Sequence, residues 1–472
     1  GALVLQDETH NAGGDSNQQK VIDAATAPAA AVVRSSATFA RRASGLLAYR
    51  GVLPPSLAVD DSAEMLAAGG TELAEALSQY LCEDGVLVRR EHDLSGLSIN
   101  VVVDSGRRDR NRAMADSLAP VLARMAKLSR MVDDEIETRN EEAERQGGKA
   151  SREKWYAANF GSRLSSLVRH FVTALSVDLC VDRCVAALVA GEKPVVVIES
   201  TMESLMRELA SDGDAQSDEA SDDEGAVEGA KPPDFRAALS TMVDRIMHMS
   251  VRRGRDDPEK VPVEDPFCVA EAEAVRRLIE AFPDLSLSPI DDIRDRIEEE
   301  GRRLHASGEI PAPWKADEIS ARKMRVRGGV YETMKAQDRN ATIVGFNGGA
   351  LDALVITRAA STGLSLHASE KVRDRRRRRM IELQIPSNVV ERVQFWGRVN
   401  RRGQVSVPGF ETLCTGLPLQ MRILAMENRK VASLSANVSA NAENASAMDV
   451  PDIIDVAEEQ TDLSREELER LL

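Results

Sequence analysis

The chain has 472 residues, of which 43% are hydrophobic and 29% charged, so its composition excludes a collagenous, fibrous or wholly disordered protein. This length is enough for two or three domains. The formal net charge is -16, from 61 Lys and Arg against 77 Asp and Glu, and this acidic balance argues, at first sight, against a nucleic-acid-binding protein. No apolar run reaches the roughly 18 residues that a membrane-spanning helix needs, and no signal peptide is visible.

Short apolar runs alternate with helical stretches along most of the chain, which predicts an α/β fold with a parallel sheet. The runs lie at 2–5, 32–33, 99–103, 195–198, 342–346, 353–357 and 380–385. Residues 107–175 are predicted to be helical almost throughout. Further helices are predicted near 234–250, 268–280 and 291–306, with a short capped helix at the C-terminal end.

The first strand ends in Asp7 and Glu8. At the carboxyl end of a parallel strand both carboxylates can face a ligand crevice. One can then hold Mg²⁺ through water while the other orients or deprotonates the attacking water. The alternative is a pair of solvated acids at a strand end. The next predicted strand leads to Ser36 and Thr38, whose hydroxyls can bond those carboxylates, although Ser and Thr are also ordinary turn residues.

Cys180 and Cys184 are four residues apart on a predicted helix. A metal-binding pair is one interpretation, but no second pair of Cys or His has the spacing of a zinc site. Buried thiols are therefore the favoured interpretation. The five scattered cysteines fit a reducing compartment.

The negative charge is concentrated in two segments. Residues 211–230 contain eight acidic and no basic side chains, and residues 436–472 contain ten acidic side chains against two Arg. Each segment sums to -8, so the rest of the chain is neutral. The first segment is too polar to bury a core and is predicted to be disordered. The net charge therefore does not exclude a nucleic-acid partner.

The buried strand at 353–357 leads into a loop of small residues that includes Thr362, Gly363 and Ser365. Small side chains let backbone N–H groups approach the phosphates of a nucleotide or a nucleic acid. An ordinary strand–helix turn is the alternative.

Residues 371–402 contain eleven basic and three acidic side chains. Within them, Arg375, Arg376 and Arg377 suit contact with a phosphate backbone. The alternatives are a solvated loop, or arginines that pair with the acidic segment 211–230. Phe395 and Trp396 could stack on bases, but packing against a core strand is the favoured interpretation.

Arg398 and Arg401 are three residues apart on a predicted helix and therefore share one face. Two guanidinium groups on one face can clamp a transferring phosphoryl group. A basic surface helix is the alternative, but it does not explain the Gln-x-x-Gly-Arg-x-x-Arg spacing that begins at Gln394.

Four of these patterns follow the order and rough separation of superfamily 2 helicase motifs II, III, V and VI. They are the strand that ends in Asp7 and Glu8, the strand that leads to Ser36 and Thr38, the small-residue loop with Thr362, and the spacing that begins at Gln394. The chain resembles the Strawberry notch helicases and their phage and bacterial relatives, over roughly 1–105 and 176–430. The residues that carry the resemblance are Ser36-Ala37-Thr38, Leu47 to Gly51, Ala359 to Leu366, Arg375 to Arg379 and Gln394 to Arg398.

The resemblance implies a role for each matching residue. Asp7 would bind Mg²⁺ and Glu8 would act as general base, while His10, Ser36 and Thr38 would couple the ATP site to nucleic acid. Thr362, Gly363, Ser365 and Gln394 would line the ATP-binding cleft between two RecA-like domains, and Arg398 and Arg401 would be the arginine fingers. The implied cofactors are ATP and Mg²⁺, and the implied partner is nucleic acid, DNA rather than RNA.

The sequence departs from the family in one respect, because no Gly-x-x-x-x-Gly-Lys-Ser/Thr phosphate loop occurs in it. The phosphate loop is expected to precede Gly1, and the chain is interpreted as N-terminally truncated at motif II. As written, it is not expected to hydrolyse ATP efficiently.

The expected architecture is α/β, with tandem RecA-like parallel-sheet domains, the first incomplete, and helical insertions. Its expected segments are 1–105 (the C-terminal part of the first RecA-like domain), 106–175 (a helical insertion), 176–430 (the second RecA-like domain, with a partly disordered insertion at about 203–340) and 431–472 (an acidic linker and a short helix). The expected function is an ATP-dependent nucleic-acid helicase or translocase. The alternative is a non-catalytic regulatory module on a degenerate helicase fold. A cytoplasmic location is expected for a bacterial or phage protein, and a nuclear one for a eukaryotic protein.

Overall fold

The structure is a computed structural model. It describes residues 2–6, 9, 17–35, 49, 80–88, 99–146, 153–157, 160–199, 201, 231–253, 259–334, 338–358, 364–386, 389–438, 453–461 and 464–467.

The described residues form the following elements. The strands are β1 (Leu3–Gln6), β2 (Ala31–Arg34), β3 (Ile99–Val103), β4 (Glu153–Tyr156), β5 (Lys193–Val197), β6 (His248–Arg253), β7 (Glu259–Pro262), β8 (Ala316–Ile319), β9 (Met324–Arg327), β10 (Val330–Thr333), β11 (Ala353–Ile356), β12 (Arg378–Glu382) and β13 (Gly409–Cys414). The helices are α1 (Asn17–Thr26), α2 (Arg108–Gln146), α3 (Gly161–Leu175), α4 (Val177–Val189), α5 (Phe235–Ile246), α6 (Pro266–Glu280), α7 (Pro289–Ala306), α8 (Arg339–Gly348), α9 (Val389–Val399), α10 (Pro418–Val438) and α11 (Ile453–Gln460).

Six strands form one sheet in the order β3-β13-β12-β5-β11-β8. The five strands from β13 to β8 pair in parallel, and Met380 of β12 lies between Val195 of β5 and Phe410 of β13. Every residue of β5 and β11 is buried, as expected for a parallel sheet covered on both faces. The predicted α/β class is confirmed.

Helices α4 and α7 cover one face of this sheet through a shared apolar core. Cys180 and Cys184 of α4 lie in that core and both are fully buried free thiols. The predicted burial of both thiols is therefore confirmed. Within the described ranges, no cluster of His, Cys, Asp and Glu has the makings of a metal site.

The prediction of a strand at 342–346 is wrong, because these residues lie in α8. The side chain of Asp338 caps the helix by accepting hydrogen bonds from the N–H groups of Asn340 and Ala341. Gly349 ends it in a left-handed conformation with φ +89°. Short apolar runs do not distinguish a helix from a strand by periodicity alone.

The chain divides into two compact units: 1–99 with 388–394 and 423–452, and 100–387 with 395–422 and 453–472. In the first unit, β1 and β2 pair in parallel, with Val4 opposite Val32, and α1 connects them. This β-α-β arrangement is the one that the sequence pattern predicts.

In the second unit, β3 is an edge strand of the six-stranded sheet, although the sequence analysis places residues 99–103 in the first domain. The N–H of Asp104 donates to the carbonyl of Cys414 at 2.8 Å. Helix α7 and strand β8 also belong to this sheet's layers, whereas the sequence analysis assigns them to the insertion at about 203–340. Helix α10 continues to Val438, seven residues beyond the expected start of the linker at 431.

A second core in this unit joins α2, α3, α5 and α6 to a three-stranded antiparallel sheet, β4-β6-β7. Strand β4 interrupts the long helix predicted over 107–175. Asn140 of α2 holds this strand, since its amide side chain bonds both the N–H (2.9 Å) and the carbonyl (3.1 Å) of Trp155. No helix in the described ranges combines the length and the apolarity that crossing a bilayer requires.

His170 of α3 is only 3% exposed. Burial, reinforced by the charge of Arg169, lowers the pKa of His170 to about 4 from its ordinary 6.5. The folded state therefore keeps His170 neutral between those two pH values, where the unfolded chain binds a proton. We expect this group to lower the free energy of unfolding by about 3 kcal/mol as the pH falls from 7 to below 4. In urea unfolding over this pH range, His170→Gln should lose that dependence. The exposed control His305→Gln should keep it, and a His170→Gln profile parallel to the wild type would contradict the expectation.

Candidate nucleotide and nucleic-acid site

Seven of the predicted site residues lie outside the described residues: Asp7, Glu8, His10, Ser36, Thr38, Thr362 and Gly363. Their roles stay predictions. The structure describes the other seven: Ser365, Arg375, Arg376, Arg377, Gln394, Arg398 and Arg401.

Arg398 and Arg401 bind the same backbone oxygen. Nη1 of Arg398 donates to the carbonyl of Leu364 at 3.3 Å, and Nη2 of Arg401 donates to it at 2.8 Å. Arg401 also donates from Nε to the carbonyl of Gly397 at 2.7 Å, which fixes its position against α9. The two guanidinium groups therefore meet at one point, although Arg401 lies two residues beyond the end of α9 and not on the helix that the sequence predicts. That point directly follows Thr362 and Gly363 in the chain.

The backbone after Leu364 runs beside the end of α9. The N–H of Leu366 donates to the carbonyl of Arg398 at 2.9 Å, and the N–H of Val405 donates to the carbonyl of Ala368 at 2.8 Å. Burial lowers the pKa of Arg401 below its ordinary value. Such a poorly hydrated guanidinium suits bidentate contact with a phosphate.

Ser365 is held from two sides. The side chain of Asn347 donates to its carbonyl at 3.0 Å, and its hydroxyl lies 2.8 Å from Nδ1 of His367. Burial, followed by the charges of Arg401 and Arg378, lowers the pKa of His367. A neutral His367 can accept the hydroxyl hydrogen of Ser365. Sequence reasoning gave neither Asn347 nor His367 a role, and nothing in the sequence around Asn347 marks it.

Gln394 is half-buried in α9, four residues before Arg398. Phe395 and Trp396 are buried, so packing rather than base stacking is confirmed for both rings. The indole N–H of Trp396 donates to Glu382 at 2.9 Å, and the hydroxyl of Thr412 donates to the same carboxylate at 2.5 Å. This buried contact attaches α9 to β12 and β13.

The basic run before β12 is matched by carboxylates from other parts of the chain. Arg376 pairs with Asp374 at 2.6 Å and with Asp352 at 3.0 Å. Arg377 pairs with Glu192 at 3.2 Å, and Arg379 pairs with the same glutamate and with Glu411. These partners are not the acidic segment that the sequence analysis considered.

Arg378 is 1% exposed and donates to the carbonyls of Leu366, Arg376 and Asp374. Arg375 is exposed and donates to the carbonyl of Glu370 at 2.9 Å. Of the three arginines predicted to contact nucleic acid, Arg375 and Arg377 are exposed, and Arg376 is half-buried. To contact nucleic acid, Arg376 and Arg377 would have to release a carboxylate partner and bind a phosphate in its place.

A buried ion pair lies beneath this run. Nζ of Lys193, whose side chain is fully buried, is 2.8 Å from Asp374 and also donates to the carbonyl of Phe346. It stands 4.1 Å from the centroid of the Phe346 ring. Burial lowers the pKa of Lys193 to about 8, although its hydrogen bond to Asp374 opposes that shift.

A cavity of about 650 Å³ lies where the chain enters β8, β11 and β12. Leu304, Trp314, Asp352, Gly349 and Arg376 are among its lining residues. These are the amino ends of parallel strands, opposite to the carboxyl end of β11, after which the small-residue loop begins. The cavity is therefore separate from the Leu364 contacts.

The described residues fit the phosphate part of a nucleotide, since Arg398 and Arg401 offer forked cationic donors at one point. The predicted Mg²⁺ ligand, Asp7, lies outside them.

Comparisons with known proteins identify relatives. Residues 312–463 match the family described as the C-terminal domain on Strawberry notch homologue. The human protein strawberry notch homolog 2 is 25% identical over 224 residues, which are 43% of this chain and 16% of the human protein. FORGETTER 1 of Arabidopsis thaliana is 26% identical over 181 residues, 35% of this chain and 13% of that protein. Protein strawberry notch of Drosophila melanogaster is 33% identical over 91 residues, 19% of this chain and 6% of that protein.

The chain thus spans 6% to 16% of the length of these three relatives. Among solved structures, the Hef helicase domain of Pyrococcus furiosus aligns with 88% of this chain and 71% of its own. Its TM-score is 0.26 and its sequence identity 13%.

Proposed function

We propose that this chain, whose residues 312–463 match the C-terminal domain on Strawberry notch homologue, acts in an ATP-dependent helicase or translocase on nucleic acid, DNA rather than RNA. ATP and Mg²⁺ are the cofactors in this proposal. A cytoplasmic location goes with a bacterial or phage origin, and a nuclear location with a eukaryotic one.

The observation that carries the proposal is the convergence of Arg398 and Arg401 on the carbonyl of Leu364. In this proposal, the two guanidinium groups, which meet just after the small-residue loop, would neutralise charge that develops on a transferring phosphoryl group. Their spacing of three residues and their contact with the chain after Gly363 would join two of the helicase-like patterns at one place.

When bound, ATP and Mg²⁺ supply the phosphoryl group and the metal charge that assists its transfer. Arg398 and Arg401 would contact the phosphates, and Gln394 would lie one helical turn before Arg398. Asp7 would hold the metal ion, and Glu8 would take the proton of the attacking water. Ser365, held by Asn347, would fix the backbone that follows the phosphate-contacting loop.

The second candidate function is a regulatory module that binds nucleic acid or protein without turning over ATP. One observation favours it: Arg398 and Arg401 both donate to the carbonyl of Leu364, a contact within the fold that a purely structural role would also explain.

Replacing Glu8 tests the proposal directly. In the longest natural form of the protein, Glu8→Gln should lower nucleic-acid-stimulated ATP hydrolysis by about 10²-fold or more, because it removes the general base and leaves the size of the side chain unchanged. Binding of a fluorescent ATP analogue should persist. The control is Glu142→Gln on the exposed side of α2, which should hydrolyse ATP like the wild type. Equal rates for Glu8→Gln and the wild type would exclude this mechanism, and no hydrolysis in any form would favour the regulatory module.

A further inference from the structure

The antiparallel sheet β4-β6-β7 has two different faces. One face packs into the second core through Trp155 and Met249, and Val251 on the same face is also buried. The other face points away from that core. Because side chains alternate along a strand and paired residues share a face, the printed pairings of the three strands define its members.

Three cationic side chains and one aromatic ring lie on the outward face. Lys154 is paired with Arg252, while Tyr156, Ser250 and Lys260 form the adjacent row across all three strands. The Tyr156 side chain is 45% exposed, and Lys154, Arg252 and Lys260 are all exposed. We call these five residues the basic sheet face.

The acidic residues of the same strands point to the opposite face of the sheet. Glu153 and Glu259 both pair with Arg253, at 3.1 Å and 2.5 Å, on the side of Trp155 and Val251. Within the three described strands the basic sheet face therefore contains positive charge and no carboxylate. The segregation is local and cannot be seen in the net charge of the whole chain.

The direct pairing of Lys154 with Arg252 has an energetic cost. Neighbouring strands are only about 4.8 Å apart, and like charges directly opposite each other destabilise a sheet. In the part of the chain that the structure describes, no carboxylate pairs with Lys154. A phosphate that lies over this pair would contact two exposed cationic side chains.

We propose that the basic sheet face binds single-stranded nucleic acid. Its phosphates would contact Lys154, Arg252 and Lys260, and an unpaired base would stack on the ring of Tyr156. An exposed aromatic ring among cations on a sheet surface suits unpaired bases, whose faces are accessible, better than the stacked bases of a duplex. This site is separate from Arg398 and Arg401 and does not rest on ATP hydrolysis.

The first test measures binding of a fluorescent oligothymidylate by anisotropy over a range of salt concentrations, using the full chain. The variant with Lys154→Ala, Arg252→Ala and Lys260→Ala should bind at least about ten-fold more weakly. The slope of log affinity against log salt should become shallower by about 2, because each lost phosphate contact on a single strand contributes about 0.7.

A matched triple variant controls for the loss of positive charge as such. Arg112→Ala, Arg130→Ala and Arg302→Ala removes three exposed arginines on α2 and α7. This control should keep the wild-type slope. Equal affinities and slopes for the two triple variants would overturn the proposal. Thermal unfolding of each variant verifies that it is folded, and Lys154→Gln with Lys260→Gln gives a milder second variant.

The second test concerns the ring. Tyr156→Ala should weaken oligothymidylate binding by about ten-fold and leave the salt slope unchanged, since stacking contributes no counterion release. Tyr156→Phe should bind like the wild type, and duplex binding should change little in either variant.

A Tyr156→Ala variant with wild-type affinity would overturn the single-strand assignment, and so would a preference of the face for an acidic peptide over the oligonucleotide. Glu8→Gln should leave all these results unchanged, so failure of the ATPase proposal is distinguishable from failure of this one.

Discussion

Replacing Arg398 by alanine is expected to lower nucleic-acid-stimulated ATP hydrolysis by about 10³-fold or more, the scale of effect that arginine fingers have on phosphoryl transfer. The physical reason is that the guanidinium neutralises charge that appears on the phosphoryl group only during transfer. Arg398 is positioned for this by α9 and by its contact with the carbonyl of Leu364.

The measurement compares steady-state ATP hydrolysis with binding of an ATP analogue in the longest natural form of the protein. Arg398→Lys keeps the charge but loses the fork, so it should also be slow. Arg302→Ala, an exposed change on α7, should be as fast as the wild type. Because Arg398 also contacts the fold, thermal unfolding must show that each variant is folded at the assay temperature. Wild-type rates in both Arg398 variants would contradict the assignment.

Asp374→Asn is expected to lower the free energy of unfolding by about 3–5 kcal/mol, the usual cost of removing one partner from a buried ion pair. The substitution leaves the fully buried Lys193 ammonium without its carboxylate and takes an ion-pair partner from Arg376. Urea unfolding measures the change. Asp116→Asn is the control, since its exposed pair with Arg112 should contribute no more than about 1 kcal/mol. A variant as stable as this control would show that the pair is dispensable.

The same carboxylate should contribute to acid unfolding. Burial alone would raise the pKa of Asp374, but hydrogen bonds from Arg376 and Lys193 outweigh it and hold that pKa well below the ordinary value. Its stabilisation is therefore fully present above the ordinary pKa of an aspartate, about 4, and is lost as the pH falls below that value. Asp374→Asn should show a weaker loss of stability in this acid range than the wild type.

Much of the parallel sheet is predictable because β5, β11 and β12 contain apolar runs. Strands β8 and β13 escape prediction because each buries a charged residue, Glu318 and Glu411, that breaks the apolar run. Three of their four partners lie 24 to 228 residues away, namely Arg294 for Glu318, and Arg183 and Arg379 for Glu411, whereas Arg322 is only four residues from Glu318. A local reading of the sequence cannot supply such partners.

The basic run illustrates the same limit. A count over residues 371–402 shows strong positive charge, but Glu192 and Asp352, which pair with Arg377 and Arg376, lie outside that window. The meeting of Arg398 and Arg401 was predictable from their spacing of three residues, although α9 ends at Val399 and Arg401 is positioned by its bond to the carbonyl of Gly397. Their acceptor, the carbonyl of Leu364, was not, because a backbone oxygen has no residue signature.

The edge strand β3 has a consequence for how the protein is made. Its neighbour β13 is synthesised much later: the side chain of Asn111, just after β3, donates to the carbonyl of Thr415, 304 residues further along. During synthesis on the ribosome, the backbone N–H and C=O groups of β3 that face β13 therefore stay unpaired until β13 has emerged. All residues of the second core except Leu417 lie before β13, so most of this core can form first. The long-range pairing of β3 with β13 is then expected to be the slow step of folding.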